Sequence, residues 1–251
     1  MRVFSHPFRY APRPLLLASA AAFPAAFFAT RFPDVPGASV GSYVSTVLIA
    51  LPSLIALFAH LGQRGAALSL LAVSAFAYAV ESVGVATGLP YGTFFYGEAL
   101  GPRLLGLVPY LLPVTYVPLV IGAVAAAWTP GRLARRIVLS ALLLVLIDAV
   151  LDPGATALGF WIWPEGGPYY GVPLTNFAGW LLSGAVSAAL LLSVGRIRTP
   201  PPPGALDSAI LSLAFWTAAA VFSGLALPAL LGLVLFVLSL ARRAALKVAS
   251  K

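Results

Sequence analysis

Long apolar runs alternate with short polar breaks from one end of the chain to the other. The runs fall near residues 15–31, 43–61, 66–87, 104–128, 135–152, 174–194, 206–222 and 225–241. Each is close to the length, about 20 residues, that a helix needs to cross a hydrocarbon core of about 30 Å. The pattern predicts an all-α fold, a polytopic integral membrane bundle of about eight transmembrane helices. No long polar stretch leaves room for a separate soluble domain, so residues 1–251 read as a single transmembrane domain. The stretch 206–241 is either one interrupted segment or a tight hairpin. Ser223 and Gly224, with Pro228 beyond, mark the break.

Charge decides how the runs thread. Only 9% of residues are charged and 61% are hydrophobic, far from the roughly one quarter charged in a soluble domain. The net charge of +8 therefore signals membrane topology and not a nucleic-acid partner, because cationic residues stay on the cytoplasmic side. With eight spans and a cytoplasmic N-terminus, the inner segments hold Arg2, Arg9, Arg13, Arg64, Arg132, Arg135, Arg136, Arg196, Arg198, Arg242, Arg243, Lys247 and Lys251, while the outer segments hold only Arg31 and Arg103. Seven spans would divide the cations nine to six. Eight spans with both termini cytoplasmic, in the cell membrane, is the expectation. The first apolar run lacks a clear small-residue cleavage site and reads as a retained span.

The seven acidic residues then separate into two groups. Asp34 falls in the first outer loop, and Asp207 at an inner helix start, where it suits the helix dipole. Glu81, Glu98, Asp148, Asp152 and Glu165 all fall in the outer halves of spans three and five or in the loops that follow. Unrelated loops have no reason to agree in this way, so these five point to one polar site near the outer surface. Asp148 and Asp152 are four apart and share a helix face. Asp148 lies about 17 Å and Glu81 about 22 Å along their helices from the inner ends, still within the hydrocarbon. Ionisable groups at such depth are costly and mark function by default. The duller alternative is a polar contact between helices, with Arg103 as a partner. Asp152 precedes Pro153 and could simply mark a helix end.

The outer loops are unusual as well. "GLPYGTFFYGEALG" (Gly88–Gly101) and "GFWIWPEGGPYYGVP" (Gly159–Pro173) are dense in aromatics, glycine and proline. Interfacial belts account for part of the aromatic content; the glycine and proline suggest loops folded back onto the protein. A solvated side chain is the ordinary reading of Glu98 and Glu165. Asn176 opens span six, either as a helix cap or as part of the polar site, with Trp180 one turn below. Pro109, Pro113 and Pro118 are expected to bend span four.

What the chain lacks narrows the chemistry. It has no cysteine, hence no disulfide or thiolate site. Its two histidines, His6 and His60, fall away from the acids, which argues against a histidine-rich metal centre. No dinucleotide fingerprint is present. The residues point to chemistry with no cofactor and no metal. "DAVLD" matches a DxxxD prenyltransferase motif, but a second Asp-rich motif is missing and this pair falls on the outer side.

Two stretches carry a resemblance. "ESVGVATGLPYGTFFYGEALGPRLLGLVPYLLPV" (Glu81–Val114) and "DAVLDPGATALGFWIWPEGGPYYGVPLTNFAGW" (Asp148–Trp180) resemble the carotenoid biosynthesis protein family, which includes the carotenoid 1,2-hydratases and the bisanhydrobacterioruberin hydratases. The resemblance covers roughly residues 43–195 and departs at Tyr116, where a tryptophan would be expected. It implies hydration of the terminal C1–C2 double bond of an acyclic carotenoid to a tertiary alcohol. Its partners would be that substrate, membrane lipid and other enzymes of the same pathway.

The residues agree with that chemistry. Protonating a trisubstituted alkene gives a tertiary cation that water captures. The acid must carry its proton, a state favoured by apolar burial and by a neighbouring carboxylate. Glu81, Asp148 and Asp152 are the candidate catalytic residues. Tyr91, Phe94, Tyr96, Glu98, Trp161, Trp163, Glu165, Tyr169, Tyr170, Asn176 and Trp180 are candidates for lining the substrate site. Aromatic faces stabilise a cation by about 0.5–2 kcal/mol each. A carotenoid cyclase or other isoprenoid-modifying enzyme would share the protonation, and a lipid transporter or binding protein could use the acids as a proton relay.

Overall fold

A computed structural model describes residues 11–249. Arg2, Arg9 and Lys251 of the charge argument, and His6, lie outside the described residues. Among the described residues seven α-helices carry the fold: α1 (Arg13–Arg31), α2 (Ala38–Thr87), α3 (Leu112–Ala126), α4 (Leu133–Ala157), α5 (Leu174–Val194), α6 (Asp207–Phe222) and α7 (Ala226–Ala249). Six are long and apolar enough to cross a membrane, α6 counting together with the single 3-10 turn before it. At 50 residues, α2 is more than twice the length a crossing needs. It breaks at Gly62, whose φ of 70° and ψ of 173° leave helical space. The two arms, 38–61 and 63–87, correspond to the second and third expected spans.

The fourth span is shorter than expected. Residues 103–109 form a small hairpin, β2 (Arg103–Leu104) against β3 (Val108–Pro109), and α3 begins only at Leu112. The prolines explain the difference. Pro109 sits in the strand, Pro113 occupies the first helical turn, where its missing N–H costs nothing, and only Pro118 lies inside the helix. The fifth span is longer than expected. Helix α4 continues through Pro153 to Ala157, so Asp152 does not mark its end. Proline cannot donate to the carbonyl four residues back; that carbonyl, on Ala149, instead accepts a hydrogen bond from Tyr169 Oη at 3.1 Å.

The stretch 206–241 is a tight hairpin. Helix α6 ends at Ser223 and Gly224, the latter with φ +74°, and Leu225 N–H reaches back to the Ala220 carbonyl at 2.8 Å. At the other end of the pair, Arg243 of α7 clamps Asp207 of α6, 2.5 Å from Nε to Oδ1. Asp207 is thus an ion-pair partner as well as a first-turn acid.

Charged and polar contacts divide the bundle into two ends. Arg242 donates to the carbonyls of Ala126 and Trp128, and Arg136 donates to the Thr129 carbonyl and stacks over the Trp128 ring, 3.7 Å from its centroid. At the opposite end Arg31 donates to the Phe222 carbonyl, Leu227 N–H to Tyr170 Oη, and Arg103 to the Tyr96 carbonyl. The acid-rich loops belong to this second end, which carries few cations.

Small residues let the helices approach, the usual device where lipid removes the hydrophobic drive for association. A Cβ on Gly122 of α3 would lie 2.6 Å from the Ala209 Cβ of α6, and one on Gly184 of α5 would meet Leu144 of α4 at 3.1 Å. Ser53 and Ser208 exchange hydrogen bonds between α2 and α6: each backbone N–H donates to the other's hydroxyl, and the hydroxyls cap the carbonyls of Ala205 and Ala50. Gly122→Val is expected to destabilise the bundle by about 1–3 kcal/mol through overpacking. Gly41→Ala, at a helical position with nothing within 4 Å, is expected to be neutral or stabilising by up to about 1 kcal/mol. Thermal unfolding in detergent checks the contrast.

Candidate functional site

Three elements bring polar residues to the same buried region. On the second arm of α2 the inward stripe runs Ala66, Ser69, Val73, Ala77, Glu81 and Gly84, all buried. Glu81, next to last in that stripe, faces protein and not lipid and is 6% exposed. On α4 the inward stripe runs through Leu144, Asp148, Asp152 and Ala155, with Asp148 and Asp152 at 1% and 2% exposure. On α5 it runs through Asn176, Gly179, Ser183 and Ser187.

The hydrogen bonds tie these groups together. Asn176 Nδ2 donates to Asp148 Oδ2 at 2.9 Å and to Asp152 Oδ2 at 2.5 Å. One amide nitrogen carries two hydrogens, so each aspartate can receive one. Asn176 is therefore not a cap: it is the third residue of α5, the N-cap position is Pro173, and the side chain turns to the aspartates. Tyr96 Oη donates to Glu81 Oε2 at 2.8 Å. Arg103, considered as a partner for the deep acids, donates instead to the Tyr96 carbonyl at 2.6 Å. Among the described residues, the ion pair Arg243–Asp207 lies at the far end of the bundle and involves none of the three acids.

The two aromatic loops fold onto this group as the glycine and proline content suggests. Strand β1 (Phe95–Tyr96) pairs antiparallel with β4 (Trp161–Ile162), placing Tyr96 opposite Trp161. Their close approach requires glycine: a Cβ on Gly97 would fall 2.0 Å from the Gly159 carbonyl oxygen. Tyr91, Phe94, Tyr96 and Trp163 form one buried cluster with Val108 and Val172. The Tyr91 ring wedges between α2 and α5, since Cβ atoms on Gly84 and Gly179 would meet it at 2.8 Å and 2.5 Å. Trp163 Nε1 donates to the Tyr91 carbonyl at 3.2 Å. Burial, followed by the Glu81 charge, raises the Tyr96 phenol well above its ordinary value, and Asp152 contributes in the same direction. Burial likewise raises Tyr91, with Glu81, Tyr116 and Asp148 adding to the effect. Both phenols therefore stay neutral and can donate, and between them they feel all three acids.

Other expected residues lie apart. Glu98 and Glu165 are exposed in their loops and do not join the buried carboxylates. Tyr169 and Tyr170 hold the loop to α4 and α7 through the Ala149 carbonyl and the Leu227 N–H. Trp180 is half-buried and stacks on Tyr116 of α3, with ring centroids 5.4 Å apart and planes at 29°. Tyr116 Oη in turn pairs with Ser187 Oγ at 2.9 Å. Ser183 and Ser187 were not anticipated. Their signal was available, because Asn176, Ser183 and Ser187 sit seven and four apart on one face of an otherwise apolar helix. A cavity between Leu57, His60, Ile121 and Leu191 lies toward the cation-bearing end, away from the carboxylates.

Comparison with known proteins follows the same region of the chain. Residues 39–239 match the family model described as carotenoid biosynthesis protein. A bisanhydrobacterioruberin hydratase from Haloarcula japonica is 43% identical over 186 residues, 68% of this chain and 61% of that protein. The chain thus spans less than two thirds of the length of this relative. No solved structure matches it. With most of its length inside one family model and its acid-bearing helices within that match, the chain belongs to the carotenoid biosynthesis protein family.

Proposed function

We propose that the chain hydrates the terminal C1–C2 double bond of an acyclic carotenoid by acid catalysis without a cofactor. The observation that carries this reading is the buried group of Glu81, Asp148 and Asp152 beside the aromatic cluster of the outer loops. The name of the Haloarcula japonica relative, a hydratase, supports it.

The chemistry follows from the groups present. One carboxyl delivers its proton to the less substituted alkene carbon, and the alkene's π pair forms the new C–H bond. The tertiary cation develops beside Tyr91, Phe94, Tyr96 and Trp163, whose ring faces each offer about 0.5–2 kcal/mol to a desolvated cation. A second carboxylate takes a proton from the water that adds. Proton transfer by a positioned side chain contributes typically about 10²–10⁴-fold. Asn176 fixes the facing oxygens of both aspartates, and Tyr96 fixes one oxygen of Glu81. The long apolar substrate enters sideways from lipid and places its end between the second arm of α2, α3, α4 and α5. The protein sits in the cell membrane with the acids toward the outer face and both termini cytoplasmic.

Expression in a lycopene-making host followed by pigment mass spectrometry tests the activity: a product heavier by one water is expected, and its absence overturns hydration. Asp148→Asn and Glu81→Gln are each expected to lower that product by about 10²-fold or more with membrane insertion intact. Glu98→Gln and Glu165→Gln should retain most activity, since both side chains are exposed. Reporter fusions are expected to place the C-terminus in the cytoplasm; an external C-terminus refutes the orientation.

A further inference from the structure

Three buried oxygens of the site have no hydrogen-bond partner of good geometry, Tyr91 Oη, Asp148 Oδ1 and Ser183 Oγ, although the Tyr91 and Ser183 hydroxyls lie close enough to act on each other. All three residues are almost fully buried, at 2%, 1% and 0% exposure. A buried polar atom left unpaired costs about 1–3 kcal/mol. Seven buried side-chain oxygens are unpaired among the described residues; these three differ from the other four in meeting at one place, which points to a common ligand.

The helix register brings them together. Asp148 uses its other oxygen on Asn176, at the top of the α5 stripe. One turn below Asp148, Leu144 packs against the Gly184 position, adjacent to Ser183. Helices α4 and α5 thus run antiparallel, with Asp148 level with the turn between Asn176 and Ser183. Tyr91 enters at that same turn, its ring against Gly179. Ser183 and Asp148 both act on the Tyr91 phenol.

We propose that Tyr91, Ser183 and Asp148 bind the water molecule that is added to the substrate. This rests on the hydration reading and names the source of its nucleophile. Two hydroxyls and one carboxylate oxygen match the two to four polar partners that a buried water takes. The hydroxyls orient the water, and Asp148 Oδ1 accepts one of its protons. When the cation forms, a lone pair of the water oxygen makes the C–O bond. One O–H bond breaks, its electrons stay on the oxygen, and the proton passes to Asp148. The product is a neutral tertiary alcohol. The donor carboxyl ends one proton short and Asp148 one proton richer, so a proton transfer between the site's own carboxyls resets it.

The site predicts a change in partition, which a purely structural role would not produce. A cation that water fails to capture loses a proton and returns to alkene. Membranes carrying the full chain are incubated with lycopene in heavy water, and both the alcohol and the recovered lycopene are analysed by mass spectrometry. The wild-type chain is expected to give mainly alcohol. In Ser183→Ala and Tyr91→Phe, the ratio of deuterated lycopene to alcohol is expected to rise about tenfold or more, within the range of a positioned proton acceptor and its water. Ser183→Thr, which keeps a hydroxyl, should raise the ratio less than Ser183→Ala. A ratio that stays near the wild-type value in both variants overturns the water site, whether or not total turnover falls. So does a larger rise in the threonine variant. Joint loss of exchange and alcohol in both variants also overturns it, since protonation would then depend on these hydroxyls. If the wild-type chain makes no alcohol, the hydration reading itself fails.

Discussion

The fold is organised around one demand, that carboxylates at membrane depth need polar partners held inside the bundle. An unpaired buried charge is among the most expensive features a chain can carry. For the two aspartates one amide supplies a donor to each. Asn176 reaches from α5 to both aspartates of α4, which fixes the register of the two helices and directs their small residues toward each other. Glu81 is satisfied differently, by a phenol brought down from a loop. The helices supply the acids, and the loops and α5 supply the donors.

Much of this was legible in the amino-acid order. Apolar runs gave the helices because spanning segments must be long and continuous, and the cations separated the two ends because charge cannot be buried cheaply. The acids at four-residue spacing marked the inward face of α4. The failures share a cause, which is proline. Pro109 and Pro113 delayed the start of α3, whereas Pro153 did not stop α4. At Pro153 the freed carbonyl finds a substitute donor in Tyr169, twenty positions later in the chain. Local pattern cannot reveal a partner so distant in sequence.

The candidate site followed the same division. Glu81, Asp148 and Asp152 stood out by depth, because ionisable groups in apolar runs are conspicuous, and all three are buried. Ser183 and Ser187 escaped notice because serine in a membrane helix is common and often bonds its own backbone, as Ser69 does to Gly65. Only the tertiary structure distinguishes a serine satisfied locally from one whose hydroxyl faces a tyrosine. Glu98 and Glu165 show the converse: proximity in sequence to the aromatic motifs did not carry them into the buried group.

The bond from Tyr169 to the Ala149 carbonyl has a mechanical meaning. Ala149 lies between Asp148 and Asp152, at the turn where α4 lacks its own backbone bond. At that turn the partly buried Tyr169 supplies the donor that the helix lacks. The spacing between the two acids is therefore governed from the rim of the protein, by a residue that need never touch a substrate. A substitution in this loop can therefore reach the acid pair while every residue in the interior stays the same.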